Sequence, residues 1–223
     1  MLYRAVKWIT VLVWKDLLLD YRNPMSVTTQ LIFSIGAGVL AGVIYRSSIW
    51  PPESLIPATL SIVLVFQAIF ASYNSFLREA ESRTVEGLRL LPVGPEIVYI
   101  SKFIYSIANI IIFTYLFQLS ILFFTWPVRI SITHVFIWIL LASLYLGGVS
   151  SLSSAMMIYS RTRGTLAPML ILVLSIPFFQ SSTEPINILA QGYMPQPGWH
   201  IPITTLGLGF LFTSTILAKY ILE

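Results

Sequence analysis

The residues able to do chemistry in this chain are few, and a third of its charge sits in one place. Of 22 charged side chains in 223 residues, seven lie between 78 and 96: Arg78, Glu79, Glu81, Arg83, Glu86, Arg89 and Glu96. Helical spacing sets Glu79 and Arg83 at i,i+4, and both Arg83–Glu86 and Glu86–Arg89 at i,i+3. Each spacing pairs opposite charges, and each pair stabilises a helix by about 0.2–0.5 kcal/mol. Val85, Leu88 and Leu91 share the other face. The pattern predicts a short amphipathic helix stopped before Pro92, its apolar side free to lie on lipid or to enter a groove on a soluble partner. A lipid-facing helix carries lysine and arginine on its polar face. Glu79, Glu81 and Glu86 stand there instead, which favours a protein partner, with a solvated loop as the alternative. Pro95 and Glu96 open the next helix, the proline in its first turn and the carboxylate near its positive end.

Elsewhere the sequence excludes more than it offers. With no cysteine there is no disulfide, thiolate metal site or covalent haem attachment of the CxxCH kind. There is no GxxxxGK[ST] phosphate loop, no H-E-x-x-H, and no intramembrane aspartate pair or Ser/His pair. The chain is read as a non-enzyme whose energy comes from a partner. Gln67 and Asn74, seven apart on one face, and Asn109 and Gln118 further on are polar residues within apolar runs. They serve as interhelical hydrogen bonds or, in the sharper reading for Gln67 and Asn74, as cargo contacts.

The elements that position these residues follow from composition. The chain is 57% apolar and only 10% charged, with a mean hydropathy of +0.83. A soluble domain carries about 25% charged residues. The apolar residues fall in runs of about 20, the length that crosses ~30 Å of hydrocarbon as helix. Spans are expected at 25–45, 55–77, 97–125, 134–159, 164–183 and 201–221, separated by turn chemistry such as "RSSIWPPES", "PVGP" and "SRTRG". Away from their ends these spans hold no Asp, Glu, Lys or Arg, which argues against an ion-coupled carrier. Eleven of the 13 basic residues fall on one side of this topology, with Arg46 and Arg129 on the other. Both termini and residues 78–96 are therefore expected in the cytoplasm, in a multi-pass protein of the cell membrane. Despite a pI near 9.4, the basic residues mark span ends and form no nucleic-acid patch.

Residues 1–24 read as an interfacial helix. Arg4, Lys7, Lys15 and Arg22 share one side, Asp16 and Asp20 the opposite one, and Trp8 and Trp14 lie between. The basic side is expected to snorkel to lipid phosphates. A frayed extension of the first span is the alternative, made harder by Asn23-Pro24. Gly38-x-x-x-Gly42 and "GGVSSLSSA" at 147–155 are small-residue surfaces that allow helices to approach. The whole chain is thus expected to form one all-α integral membrane domain over 1–223: interfacial helix 1–24, spans one and two at 25–77, a cytoplasmic loop at 78–96, and the remaining spans at 97–223.

Two stretches carry a family resemblance. "SRTVEGLRLLPVGPEIVYISK", 82–102, resembles the segment between spans two and three of ABC-2-type exporter permeases, through Thr84, Glu86, Leu90, Leu91, Pro92 and Lys102. "FLREAESRTVEGLRLLPVGP" and "SRTRGTLAPMLILVLSIPFF", the latter at 160–179, more narrowly resemble the CcmB family, the membrane subunit of the haem exporter of cytochrome c maturation. The resemblance implies a coupling helix that docks in a cleft of a separate ABC ATPase subunit. Its residues would be Glu79, Arg83, Thr84, Val85, Glu86, Leu88, Leu90, Leu91 and Pro92. It also implies a second copy of this chain as partner, the other membrane proteins of cytochrome c maturation nearby, and haem as cargo with no firmly bound cofactor. His200, beside Trp199 in "PQPGWHIP", and His134 are the only histidines available as haem ligands, though interfacial Trp-His pairs also serve as anchors. An ABC-2 exporter of lipid, glycan or drug, and a scaffold that transports nothing, are the rival readings.

Overall fold

Hydrocarbon offers the backbone no water to bond, so a chain this apolar must close its hydrogen bonds within helices. The computed structural model describes residues 2–22, 24–50, 52–126, 132–160, 162–182, 198 and 200–222, and the regular elements among them are all helical. They are α1 (Leu2–Arg22), α2 (Pro24–Ser47), α3 (Pro52–Ser72), α4 (Arg78–Glu81), α5 (Val85–Arg89), α6 (Pro95–Thr125), α7 (Ile132–Met156), α8 (Arg163–Leu174), α9 (176–182) and α10 (Ile201–Leu222). A π-helical turn, Tyr73–Leu77, joins α3 to α4.

Five stretches are long and apolar enough to cross a bilayer: Pro24–Ser47, Ser54–Glu81, Pro95–Thr125, Thr133–Met156 and Gly164–Ser182. The sixth expected span is α10, whose apolar run is Ile201–Leu217. Two boundaries differ from expectation. The second span does not end at 77 but continues through the π turn to Glu81, so Arg78 and Glu79 belong to its tip and not to a loop. The fifth breaks at Ser175, because Pro177 has no N–H with which to continue the ladder. The Leu174 carbonyl at that break accepts a hydrogen bond from the Tyr145 hydroxyl at 2.6 Å.

α7 lies at the centre, and its small residues explain why. Ser150, Ser151, Ser153 and Ser154 are fully buried. Ser150, Ser151 and Ser154 each donate to the carbonyl three residues back, so their polarity is met inside the helix. A weak signal in the sequence is thus the middle of the bundle. Around it, Trp138 and Tyr145 of α7 stack on Phe178 of α9, and Phe210 of α10 meets Tyr145 edge-on at 5.4 Å.

Gly38 and Gly42 let α2 close on α6. A Cβ at Gly38 would stand 2.6 Å from Ser120 Cβ and 2.7 Å from the Phe117 carbonyl oxygen, whereas one at Gly36 would meet nothing within 4 Å. Gly38→Val is expected to cost about 1–3 kcal/mol through overpacking, while Gly36→Val costs much less. Thermal unfolding in detergent checks this, and equal midpoints for the two variants would remove the contact from the account.

α1 packs against α6, and it presents the opposite face from the one expected to dominate. Leu12, Asp16 and Asp20, spaced i, i+4, i+8, are buried, while Val6, Val11, Trp14, Leu17 and Tyr21 are exposed. The acidic side is the inward side. Lys7 and Arg22 stay exposed, but Lys15 is turned to carboxylates and does not snorkel to lipid.

Candidate functional site

The approach to the charged segment is irregular. Within the π turn Ser75 leaves helical geometry (φ −90°, ψ −123°), and π turns inside helices gather at functional sites. Successive residues of the turn reach different helices. The Tyr73 hydroxyl donates to the Gly164 carbonyl at the start of α8. The Ser26 hydroxyl of α2 donates to Asn74 Oδ1 at 2.5 Å. Phe76 stacks on Tyr99 of α6 with centroids 6.5 Å apart.

α4 then stops in a Schellman arrangement. Arg83 takes the left-handed conformation usually filled by glycine (φ 56°), and the Thr84 N–H donates back to the Glu79 carbonyl at 2.9 Å. This corrects the expected charge ladder. Glu79 and Arg83 do not lie i,i+4 on one helix, and Arg83 is not on the helix that holds Glu86, so these pairs do not form. A new short helix, α5, begins at Val85 and ends before Leu90, Leu91 and Pro92.

The two faces of this segment are divided. Val85, Leu88 and Leu91 are half-buried, packed on a cluster that includes Leu12, Phe76, Val98 and Tyr99. The apolar side that could have met a partner is therefore turned largely onto the chain's own bundle. Arg83, Thr84, Glu86, Gly87 and Pro92 are exposed, and Leu90 is 85% exposed. A cleft of about 510 Å³ opens between α1 and this segment, bordered by Trp8, Leu12, Lys15, Thr84, Leu88 and Leu91.

Beneath the segment lies a buried charge cluster that sequence reasoning missed. Lys102 of α6 is 2% exposed, and its ammonium donates to Glu79 Oε1 at 2.5 Å and to Asp16 Oδ1 at 3.0 Å. Lys15 also donates to Glu79 Oε1, at 2.6 Å. Alongside, Arg78 donates to Asp20 Oδ1 at 2.5 Å, and the Tyr105 hydroxyl donates to Asp20 Oδ2 at 2.6 Å. Three cations face three carboxylates, so the cluster is neutral. Burial opposes the Lys15 charge, but Asp16 and Glu79 outweigh it and hold its pKa above the ordinary lysine value. In the sequence Lys102 merely opens a span. The available signal was its position seven residues past Pro95, inside an apolar run, together with two aspartates sharing a face of α1.

The remaining candidates are scattered. Gln67 donates to Ser34 of α2 at 3.0 Å and Asn74 accepts from Ser26, so both tie α3 and the turn after it to α2 and are buried within the chain. His200 is exposed at the start of α10, and Trp199 lies outside the described residues. His134 is half-buried near the start of α7.

The bundle of long apolar helices, with an irregular, charge-braced segment between its second and third spans, is that of a multi-pass membrane protein. Residues 8–215 match the family model of the ABC-2 type transporter, and the chain belongs to that family. It is a multi-pass permease subunit of an ABC transporter, and membership implies an ATPase partner. No curated protein matches the chain.

Proposed function

We propose that residues 82–92 are the coupling segment of an exporter built from two copies of this chain and two ATPase subunits, with the segment and both termini in the cytoplasm. The observation that carries this reading is the division of faces. Val85, Leu88 and Leu91 anchor the segment to the bundle, while Arg83, Thr84, Glu86, Gly87 and Leu90 are offered outward. An exposed leucine among charges, held on an anchored support, suits a partner's cleft better than it suits water. The orientation rests on the 11 basic residues that share that side.

For cargo we favour haem, passed to an acceptor on the outer face, on the strength of the CcmB-like stretches at 76–95 and 160–179. The test is co-expression of the chain with its ATPase subunit and a haem-accepting chaperone, followed by the haem absorption spectrum of the purified chaperone. Haem is expected on the chaperone only when both subunits are present and ATP can be hydrolysed. His200→Ala is expected to keep both assembly and most haem transfer, since His200 stands exposed at a helix start in the manner of an interfacial anchor. Full haem loading without this chain would remove haem as cargo and leave the broader exporter reading, for a lipid, glycan or drug.

A further inference from the structure

Docking needs only the exposed face of the segment, yet the side chains most deeply committed lie behind it. We propose that Lys102 and Asp16 are a positioning pair that makes α1 and α6 move with the coupling segment, so that displacement by the ATPase passes into α6 and not up α3. The inference rests on, and deepens, the assignment of residues 82–92 as the ATPase-facing segment.

Three observations carry it. α3 is poorly suited to transmit a push, because the π turn with Ser75 off helical geometry lies between it and α4. The short α4 is instead braced from both sides, with Glu79 held by Lys102 of α6 and Lys15 of α1, and Arg78 by Asp20 of α1. Lys102 also holds Asp16, so three elements meet at one buried ammonium. From that point α6 runs unbroken to Thr125, and its far end borders Tyr45, Ser48 and Trp50 at and beyond the end of α2. Rigid helices joined by such bonds are what carries coupling between distant sites.

The chain has no cysteine, so Ser48→Cys gives a single reporter thiol at that far end. In nanodiscs holding the chain with its ATPase subunit, the rate at which a charged maleimide modifies this thiol is measured with and without ATP and vanadate. The parent pair is expected to change rate on nucleotide trapping. Asp16→Asn with Lys102→Met removes both charges of the latch and leaves Lys15 on Glu79. This double variant is expected to retain the ATPase at full yield and to lose about tenfold of the rate change, within the usual span of coupling between sites. Lys102→Arg is expected to keep the response. Asp16→Asn alone, which removes one charge of the pair and leaves Lys102 on Glu79, is expected to weaken it and supplies the readout if the double variant fails to accumulate. A double variant, or in its place Asp16→Asn, that responds as the parent does overturns the proposal, as does equal loss in Lys102→Arg. Failure of the parent chain to bind the ATPase overturns the coupling-segment reading instead.

Discussion

Leu90→Asp is expected to strip the ATPase subunit from detergent-extracted complexes while the chain itself accumulates in membranes as before. Leu90 is 85% exposed, so the chain loses little packing of its own when the side chain is changed. Buried in a partner's cleft, a leucine contributes about 1.5–3 kcal/mol, less the ordering cost of docking. Aspartate removes that gain and must also be desolvated, so affinity is expected to fall by about tenfold or more. Leu88→Asp is the informative contrast. Leu88 is half-buried over the cluster of Leu12, Phe76 and Tyr99, so this change is expected to loosen the segment from its own bundle and lower thermal stability. Pull-down yield, read beside membrane level and unfolding midpoint, separates the two. Retention of the ATPase by Leu90→Asp at wild-type yield would move the docking surface away from this face.

Lys102→Met alone is expected to be the most destabilising of the substitutions considered. It leaves Asp16 and Glu79, 1% and 4% exposed, to share Lys15 as their remaining cation. Removing one member of a buried ion pair costs about 3–5 kcal/mol, because the charge left behind is neither solvated nor paired. Replacing both members by neutral groups is often nearly neutral. Adding Asp16→Asn to Lys102→Met should therefore restore most of the midpoint lost by the single variant. Unfolding in detergent across the four combinations measures the coupling. A double variant as unstable as Lys102→Met would mean that the two residues do not act as an ionic unit.

The architecture was legible in the sequence where one physical rule dominated. Apolar length placed the helices, and proline and glycine marked most of their ends, because hydrocarbon leaves the backbone no alternative to helix. The charged segment was legible as a site but not as a shape. Local spacing assumed one helix through 79–89, while the bond from the Thr84 N–H to the Glu79 carbonyl ended it at Glu81. The buried cluster was the least legible part. Its bonds join residues 23 to 86 positions apart, as in Lys102–Glu79 and Lys102–Asp16, and no periodicity in a single element reports such pairings. Lys15 looked like a lipid anchor for the same reason: on its own helix it sits with the basic residues, and only the fold brings Glu79 to it.

The π turn at Tyr73–Leu77 also sets a phase. An α-helix advances about 100° per residue, and a π turn holds one residue more than the α-helical turn it replaces. Here Ser75 also leaves helical geometry (φ −90°, ψ −123°), so the residues after Leu77 do not continue the register of α3. Beyond that break Arg78 and Glu79 meet α1 and α6, where Asp20, Lys15 and Lys102 receive them. In a continuous α-helix with the same apolar face inside the bundle, the same two side chains would point elsewhere around the axis. The irregular turn acts as a break between two gears: the upper helix keeps its register with the bundle, and the lower one keeps its register with the charges.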